Sequence, residues 1–553
     1  MTQFTLTLLD TTGIQDYIFA SNRLQENIGA SELVYRATSL WAFEALEKVE
    51  LSHNIQNSHS LDWVFTAAAI EDDPNLQAEV IQAAGGNTVI LFRDEKKSRE
   101  FVSVLTLRLL KEAPGLTVLA QHAGFDFEKD HLADKYDTDE YGNLKKKDGK
   151  RSELEKFMRE HKLARLPSAP TLGLGVTAMC DSTGLAAVNT LAGGLTVEDK
   201  LEPLGLDGED KTTFVSSETA AKRAWRGQAN GRLKSWLKLS ADDFDFPYDL
   251  EKIGRVKGDE SYVAVIHADG NKMGDKVKAV AQSIEQKFTG QPQKKINREY
   301  ILAMREFSQK VNEASLVALQ SVVHLTVQAV KNKVIPFETN KKNNKPYLPL
   351  RPLVFGGDDV TFVCNGSIGV TLAAAYLESF HEEAKSRGLD LHASAGVSIV
   401  KMHYPFARAY KLSEELASSA KSLTRETDCS ALDWHFAHSG LSGSLDGIRE
   451  REYTVKAGKL YLRPLTLDKW NQVESVMDEF NGDYWGEKHN KVLGLREPLR
   501  DDPQMVEKYR QDFDLKELPK FAGLNVRING WLDGVCYYFD AIELLDHHVA
   551  LKK

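Results

Sequence analysis

The sequence predicts a multidomain α/β protein (α+β in the arrangement of its elements) in which one structural unit occurs twice. Three observations predict this fold: a strand that ends in Asp269 and leads through a glycine-rich turn into a helix, a Gly-Gly-Asp-Asp hairpin at 356–359, and a weaker copy of both near the N-terminus. A chain of 553 residues, 42% hydrophobic and 27% charged, has the composition of a globular protein with several domains.

The hairpin is the most informative of these elements. Apolar residues at 353–355 and 360–363 predict two short strands, so residues 356–359 form an exposed tip between them. The two glycines permit a tight turn and the close approach of a ligand. Asp358 and Asp359 repel each other, and such a pair suits Mg²⁺ or Mn²⁺ completed by water and substrate phosphates. Alone, the motif would more often be an ordinary polar turn.

The strand at 261–269 places a third carboxylate, Asp269, where a neighbouring hairpin could share its metal. The turn that follows leads into a helix predicted to begin near Asp275, and its backbone amides can bind triphosphate oxygens. The nucleotide-binding candidates in this turn are Gly270, Asn271, Lys272, Met273 and Gly274, and Gly270 is also a candidate at the metal. Together with the hairpin, this pattern indicates a palm-type nucleotidyltransferase or cyclase.

A third strand, predicted at 391–400, is followed by a helix that Pro405 opens. Its apolar residues recur every four positions, and Lys421 lies one position from that stripe. Lys421 could therefore reach the active cleft and bind a triphosphate, although a solvated surface lysine is the commoner outcome of such spacing.

These elements resemble the second palm of the large polymerase-cyclase subunit of type III CRISPR effector complexes, a family that converts ATP into cyclic oligoadenylates. The residues that carry the resemblance are Asp269-Gly270-Asn271, Gly356-Gly357-Asp358-Asp359, and Ser394-Ala395-Gly396-Val397 with Lys421. Leu432-Asp433-Trp434-His435-Phe436 resembles the strand that closes this palm, and Arg463-Pro464-Leu465-Thr466 resembles the entry to the family's helical C-terminal domain. The resemblance implies that Asp269, Asp358 and Asp359 hold two divalent cations, and that Gly356, Gly357 and Lys421 contact ATP. By the same analogy, Ser308 is a candidate contact to a base, although a serine on a helix surface is the commoner outcome.

The N-terminal residues 10–19 resemble the opening of the family's first palm, and 85–90 resemble its degenerate hairpin. Asn87 stands where a metal-binding carboxylate would be, so this palm should bind an acceptor nucleotide without activating it. The implied contacts are Asp10, Gly13, Gly85, Gly86 and Asn87.

The resemblance implies two ferredoxin-like palms that form a pseudo-dimer. We expect a first palm at 1–125, a linking domain at 126–250, a second palm at 251–440 and a helical C-terminal domain at 441–553. Within the first two we expect strands near 4–9, 62–69 and 87–92 and a helix at 152–161.

Two departures from the family pattern limit the function. The first palm begins almost at Met1 and the chain has no His-Asp dipeptide, so the family's DNase activity is not expected. The four cysteines include no Cys-x-x-Cys pair, so no structural zinc is expected. Alternatives to an oligonucleotide cyclase are a catalytically silent scaffold subunit of an RNA-guided complex and a related palm enzyme, such as a diguanylate cyclase or a template-free polymerase.

Net charge and cysteine content restrict partners and compartment. A net charge of −10 argues against sequence-independent coating of nucleic acid, and the basic run 145–151 is more typical of a solvated loop. Guide-RNA effector subunits and target RNA are implied as partners by the resemblance. Unpaired cysteines, no secretory signal pattern and no long apolar run predict a cytoplasmic protein without membrane contact.

Overall fold

The computed structural model describes residues 4–138, 144–165, 173–238, 244–253, 261–425, 427–437 and 443–551. The chain separates into two compact units. The first comprises Met1–Trp236 and Lys272–Glu313, and the second comprises Leu237–Asn271 and Ala314–Lys553.

The first unit contains a four-stranded sheet, several short β-ribbons and eight helices or parts of helices among its described residues. In chain order its elements are β1 (Phe4–Thr12), α1 (Ile14–Phe19), α2 (Leu24–Ala37), α3 (Leu40–Lys48), β2 (Ile55–Gln56), β3 (Val64–Phe65), β4 (Ala78–Ala84), β5 (Asn87–Phe92), α4 (Glu95–Glu112), β6 (Thr117–Phe125), β7 (Lys135–Thr138), β8 (Leu144–Lys147), α5 (Lys150–Ala164), β9 (Asn189–Thr190), β10 (Gly194–Val197), β11 (Lys200–Pro203), β12 (Phe214–Val215), α6 (Ser217–Trp236), α7 (Met273–Lys287) and α8 (Gln293–Lys331), of which α8 also contributes to the second unit.

The second unit contains a six-stranded sheet, a small four-stranded sheet and the C-terminal helices. Its elements are β13 (Tyr262–Gly270), β14 (Leu350–Gly356), β15 (Asp359–Asn365), α9 (Gly369–Ser386), β16 (Ala393–Lys401), α10 (Phe406–Leu423), β17 (Ala431–Ala437), α11 (Leu445–Glu452), β18 (Thr454–Val455), β19 (Gly458–Lys459), β20 (Leu465–Thr466), α12 (Leu467–Asn481), α13 (Asp483–Gly486), α14 (His489–Gly494), α15 (Arg496–Asp501), α16 (Pro503–Asp512), β21 (Trp531–Leu532), β22 (Val535–Cys536) and α17 (Phe539–Leu544), with short 3₁₀ helices at Leu250–Lys252, Gly366–Ile368 and Leu545–His547.

The two large sheets share one strand order. The first runs β4-β5-β1-β6, and the second begins β14-β15-β13-β16 before β17 and β20 extend it. In the first sheet β1 lies between β5 and β6, and in the second β13 lies between β15 and β16. Each of these two central strands is antiparallel to both of its neighbours. Each hairpin also carries a register shift in its first strand, at Val80/Gln82 and at Pro352/Val354. This correspondence supports the internal duplication that the sequence motifs predict.

The predicted α/β fold class is confirmed, and the structure corrects several elements. The strand expected near 62–69 is reduced to β3, which forms a two-stranded ribbon with β2. Strand β4 went unpredicted because Ala, Glu and Gln dominate it, and these residues have low strand propensity. The helix expected at 152–161 is α5, which is longer at both ends. The C-terminal region contains the sheet β18-β19-β22-β21 as well as the expected helices.

Helix α8 is long and apolar enough to cross a membrane by length and composition, as are many core helices of globular proteins. It alone meets that test within the ranges that the structure describes, and 61% of its most apolar window is buried.

Candidate active site

The register of the second sheet brings the predicted carboxylates to one edge. Ala268 of β13 pairs with Val360 of β15, so the next positions along the two strands are Asp269 and Asp359. On the other side of β13, Ser394 of β16 pairs with Asp269. Directly opposite residues in antiparallel strands point to the same face. Three strands therefore present polar side chains at one end of one sheet face.

The Gly-Gly-Asp-Asp motif forms the predicted hairpin, with Gly356 paired to Asp359. Gly357 has a φ of 68°, a left-handed conformation in which a Cβ is strained. The expectation of an exposed tip is wrong, because residues 356–359 are all half-buried. Asp358 lies within hydrogen-bonding reach of Asp269, and burial together with the nearby Asp269 charge raises the pKa of Asp358 to about 6.

Asp359 is the most perturbed carboxylate of the cluster. Burial raises the pKa of Asp359 to about 8, and the charges of Asp269, Asp358 and Glu414 add to this effect. Its side chain keeps 36% of its surface accessible. One oxygen, Oδ1, is nevertheless buried and makes no hydrogen bond. A buried carboxylate oxygen without a donor is a costly group that a cation would stabilise.

His267 belongs to this cluster, although its sequence context did not single it out. Its Nδ1 lies 3.4 Å from Asp359 Oδ1 and 3.3 Å from Thr361 Oγ1. Tyr410 packs edge-on against the imidazole, with 5.7 Å between ring centroids. Burial lowers the pKa of His267 to about 4, so at neutral pH the imidazole carries no charge that could neutralise Asp359. The available signal was the two-residue spacing from Asp269, which places both side chains on one strand face.

Helix α10 carries Lys421 to the carboxylates because Gly396 lets the helix approach β16. A Cβ at Gly396 would lie 2.0 Å from the Ser413 carbonyl oxygen and 2.4 Å from the Ala417 nitrogen. Ser413, Ala417 and Lys421 follow one another at four-residue spacing along the helix. Lys421 Nζ forms an ion pair with Asp269 Oδ2. Lys421, which is predicted to bind the triphosphate, therefore contacts Asp269, which is predicted to bind the metal.

Asn271 fixes the turn that follows Asp269. Its backbone N–H donates to the His392 carbonyl (2.8 Å), and its side-chain nitrogen donates to the Cys429 carbonyl (3.1 Å). Ser394 Oγ donates to the side-chain oxygen of Asn271 at 2.8 Å. The side chain is buried, with its nitrogen and its oxygen both hydrogen-bonded inside the second unit. Its geometry is that of a residue that holds the backbone of the turn.

The other nucleotide candidates around this turn follow directly in the chain. Gly270 ends β13, and α7 begins at Met273, preceded by Lys272 in a left-handed conformation (φ 54°). Gly274 is exposed, with nothing within 4 Å of a Cβ placed on it. Ser308 is half-buried on the part of α8 that belongs to the first unit.

The first unit has a comparable cluster with different chemistry. Gly85 and Gly86 form a two-residue hairpin turn with φ values of 60° and 79°. The Asn87 side-chain nitrogen lies 2.7 Å from Asp10 Oδ1 once its amide is oriented to donate. Lys162 Nζ lies 2.5 Å from Asp10 Oδ2. The charge of Asp10 is thus balanced by Lys162, and its other oxygen accepts a hydrogen bond from the Asn87 amide. Gly13 (φ 66°), three residues further along the chain, precedes the first residue of α1.

The second-unit cluster fits a divalent cation better than the first. It offers carboxylates from two strands, pKa values raised first by burial and then by neighbouring carboxylates, and a buried carboxylate oxygen without a hydrogen bond. Asp358 lies beside Asp269, whereas Asp359 lies against His267, and the three carboxylates together do not meet the spacing of ligands to one ion. An ion that joined them would replace the Lys421 contact of Asp269.

The carboxylate pKa values predict how stability changes with pH in metal-free protein. Folded Asp359 binds its proton up to about pH 8, whereas an unfolded aspartate loses it near pH 4. Asp359 therefore lowers the free energy of unfolding progressively as the pH rises from about 4 to about 8. The lowered pKa of His267 has the opposite effect, but only between about pH 4 and 6.5.

Above pH 6.5 His267 no longer contributes, and the effect of Asp359 continues up to about pH 8. We expect Asp359→Asn to raise the free energy of unfolding by about 1–2 kcal/mol at pH 8.5, a value reduced for the partial solvent exposure of the side chain. Urea unfolding of the wild type and the variant from pH 6.5 to 8.5 measures this. The burial of this charge would be contradicted if the free energy of unfolding changed with pH equally in the wild type and the variant, or if the variant were the less stable of the two at pH 8.5.

A family model assigns the region around these residues. Residues 262–428 match the second palm domain of Cas10/Cmr2. This region is similar to the second palm of that family. It contains β13, the hairpin, β16 and α10, which are all the elements that carry the carboxylates and Lys421. The predicted family resemblance is thereby confirmed.

Solved structures extend the likeness at the level of fold. A crystal structure of a Csm1–Csm4 cassette in complex with cA4 aligns with a TM-score of 0.50 at 14% identity, covering 98% of this chain and 70% of that one. A cassette in complex with one ATP aligns at 16% identity, with the same TM-score and coverage. Csm1 from T. onnurineus gives 0.50 at 15% identity over the same shares. A comparison with curated proteins gives no match.

Proposed function

We propose that this protein is a palm-domain nucleotidyltransferase that converts ATP into cyclic oligoadenylates in type III CRISPR defence. The observation that carries the proposal is the contact group of Asp269, Asp358 and Lys421 inside a Cas10/Cmr2 second palm. The ATP and cA4 in the structurally similar cassettes support the choice of substrate and product class.

In the proposed reaction a ribose hydroxyl of one nucleotide attacks the α-phosphorus of another. A new O–P bond forms, the bond to pyrophosphate breaks, and the hydroxyl proton leaves to solvent. Asp269, Asp358 and Asp359, with Gly270 beside them, would hold two Mg²⁺ or Mn²⁺ ions. These ions would lower the pKa of the attacking hydroxyl and neutralise the leaving oxygen.

The remaining residues of the site bind the triphosphate or hold the catalytic groups in position. Lys421, which pairs with Asp269 in the structure, would bind the triphosphate instead, because the phosphates attract its ammonium group. His267, held by Thr361 and Tyr410, limits how far Asp359 can turn from the sheet edge. Asn271 holds the turn whose glycines and amides, with Gly356 and Gly357, would approach the phosphates.

We further propose that the first palm binds the acceptor nucleotide through Asp10, Gly13, Gly85, Gly86 and Asn87, with Ser308 at a base. We propose four domains, at 1–125, 126–250, 251–440 and 441–553, with the acceptor site in the first and the catalytic site in the third. A Csm4-like subunit, other guide-RNA effector subunits and target RNA are the proposed partners, in the cytoplasm.

Product analysis tests the function and separates its alternatives. The purified chain is incubated with each labelled nucleoside triphosphate and Mg²⁺ or Mn²⁺, with and without its co-purifying RNA and subunits, and products are resolved by mass. We expect cyclic adenylate oligomers and pyrophosphate. A guanosine product would identify another palm enzyme, and no turnover under any condition would identify a scaffold subunit.

Lys421→Ala should reduce kcat/KM for ATP by about 10- to 100-fold, because a charge-assisted phosphate contact is lost. Lys411→Ala is the matched control, since Lys411 is exposed on the same helix. Steady-state kinetics measures the effect, and an unchanged kcat and KM would remove Lys421 from the site.

A further inference from the structure

A second group of potential ligands lies in the same unit, outside the catalytic cluster. His381 is on α9, while Asp390 and His392 are in the segment that leads from α9 into β16. Ligand atoms of the three residues all lie within 4.8 Å of one another. Within the ranges that the structure describes, no other set of three or more His, Cys, Asp or Glu residues meets this spacing.

Hydrogen bonds orient the two imidazoles for metal binding. His381 Nδ1 lies 2.9 Å from the Leu391 carbonyl oxygen, and since a carbonyl can only accept, this nitrogen carries the proton. The lone pair of His381 is therefore on Nε2. His392 Nδ1 lies 3.4 Å from Ser430 Oγ, and His392 Nε2 lies 3.7 Å from Asp390 Oδ1. Metal-binding histidines are typically held in this way, with the second ring nitrogen bonded to an outer partner.

The two rings are also already close together. They stack with centroids 4.1 Å apart and planes 14° from parallel. Tetrahedral Zn²⁺ has Zn–N bonds of about 2.0–2.1 Å, so its ligand atoms are about 3.4 Å apart. Because an imidazole binds a metal in its own ring plane, one ring must tilt out of the stack before both Nε2 atoms can face a shared ion. Asp390, with 70% of its side chain exposed, can follow without disturbing the core.

We propose that His381, Asp390 and His392 bind one Zn²⁺ ion, with water in the fourth position. Two imidazoles favour Zn²⁺ over the Mg²⁺ that suits the catalytic carboxylates. The expectation of no structural zinc rested on the cysteines alone, and none of the four cysteines takes part in this site.

The ion would connect α9 to the turn at the catalytic strand. The His392 carbonyl accepts the Asn271 N–H, and Asn271 follows Asp269 by two residues. Zn²⁺ at His392 would therefore restrain the backbone that holds this turn. An effect on catalysis rests on the proposed function, so the test measures metal binding itself.

Cobalt and zinc titrations of the chelator-treated full chain test the site. We expect one Co²⁺ per chain with the intense visible absorption of tetrahedral coordination, displaced by one equivalent of Zn²⁺. His381→Ala and Asp390→Asn should each weaken Zn²⁺ binding at least about tenfold, and Ser430→Ala about tenfold through loss of the outer partner. Asp390 is exposed, so its variant keeps the fold even if a histidine variant does not.

Two control variants separate this site from other binding. His403→Ala removes an exposed histidine of the same unit and should leave the affinity unchanged. Asp358→Asn with Asp359→Asn should also leave the Co²⁺ spectrum unchanged. Absence of tetrahedral Co²⁺, equal affinity in Asp390→Asn, or loss of the spectrum in the catalytic variant would overturn the proposal, whether or not the protein makes oligoadenylates.

Discussion

Replacing Asp358 and Asp359 together by asparagine should lower the rate of oligoadenylate formation at least about a thousandfold. The substitutions keep side-chain size but remove the charge that would hold the cations, whose stabilisation of the transition state is worth several kcal/mol. The fold should persist, because the motif lies at a half-buried hairpin tip where burial and the charge of Asp269 already raise the pKa of both aspartates. Product mass analysis and circular dichroism measure the two effects.

The matched control for this variant is Glu382→Gln. It makes the same change from carboxylate to amide at an exposed position of α9 in the same unit. We expect wild-type activity from it. Synthesis that survives in the double asparagine variant would show that the metal lies elsewhere.

Arg449→Met should lower the free energy of unfolding by about 3–5 kcal/mol. Arg449 of α11 donates to both oxygens of Asp433 on β17, at 3.0 and 2.6 Å. The Asp433 side chain is fully buried, so removal of the guanidinium leaves an uncompensated charge in the core. This strand is paired in parallel with β16, which carries Ser394 and Gly396. Urea unfolding at pH 7 measures the loss.

Arg451→Met provides the comparison for that loss. Arg451 lies on the same helix, but its side chain is 52% exposed and its partner Glu452 is also a surface residue. Exposed pairs contribute little, so we expect a change below about 0.5 kcal/mol. Equal effects of the two substitutions would show that the Asp433 pair is not a buried one.

The sequence predicted the parts of the fold that depend on local chemistry. Turn glycines, a strand of continuous apolar residues and Pro405 before α10 each constrain the backbone within a few residues, and the corresponding elements are present. Strand β4 depends on its hairpin partner rather than on its own composition, so no local pattern could reveal it.

For the candidate site, sequence reasoning found the carboxylates and Lys421 but not their partners. The Asp269–Lys421 pair and the position of His267 against Asp359 arise from long-range packing of α10 and β15 on β13. Gly396 belongs to one of the sequence motifs, but the sequence does not show why a glycine is needed there. In the structure α10 packs so closely against β16 that a side chain at this position would collide with it. The half-burial of the tip, which sets the carboxylate pKa values, is equally a property of the folded unit.

We propose that Asp269 and the hairpin aspartates jointly bind the cations that ATP chemistry requires. A crystal structure with Mn²⁺ and a non-hydrolysable ATP analogue, read from the anomalous signal of manganese, tests it directly. We predict two peaks, each about 2.1 Å from a carboxylate oxygen of Asp269, Asp358 or Asp359, with Lys421 moved from Asp269 to the phosphates. A bound nucleotide with no manganese at these carboxylates, or manganese bound to Asp358 and Asp359 while Lys421 stays on Asp269, would contradict it.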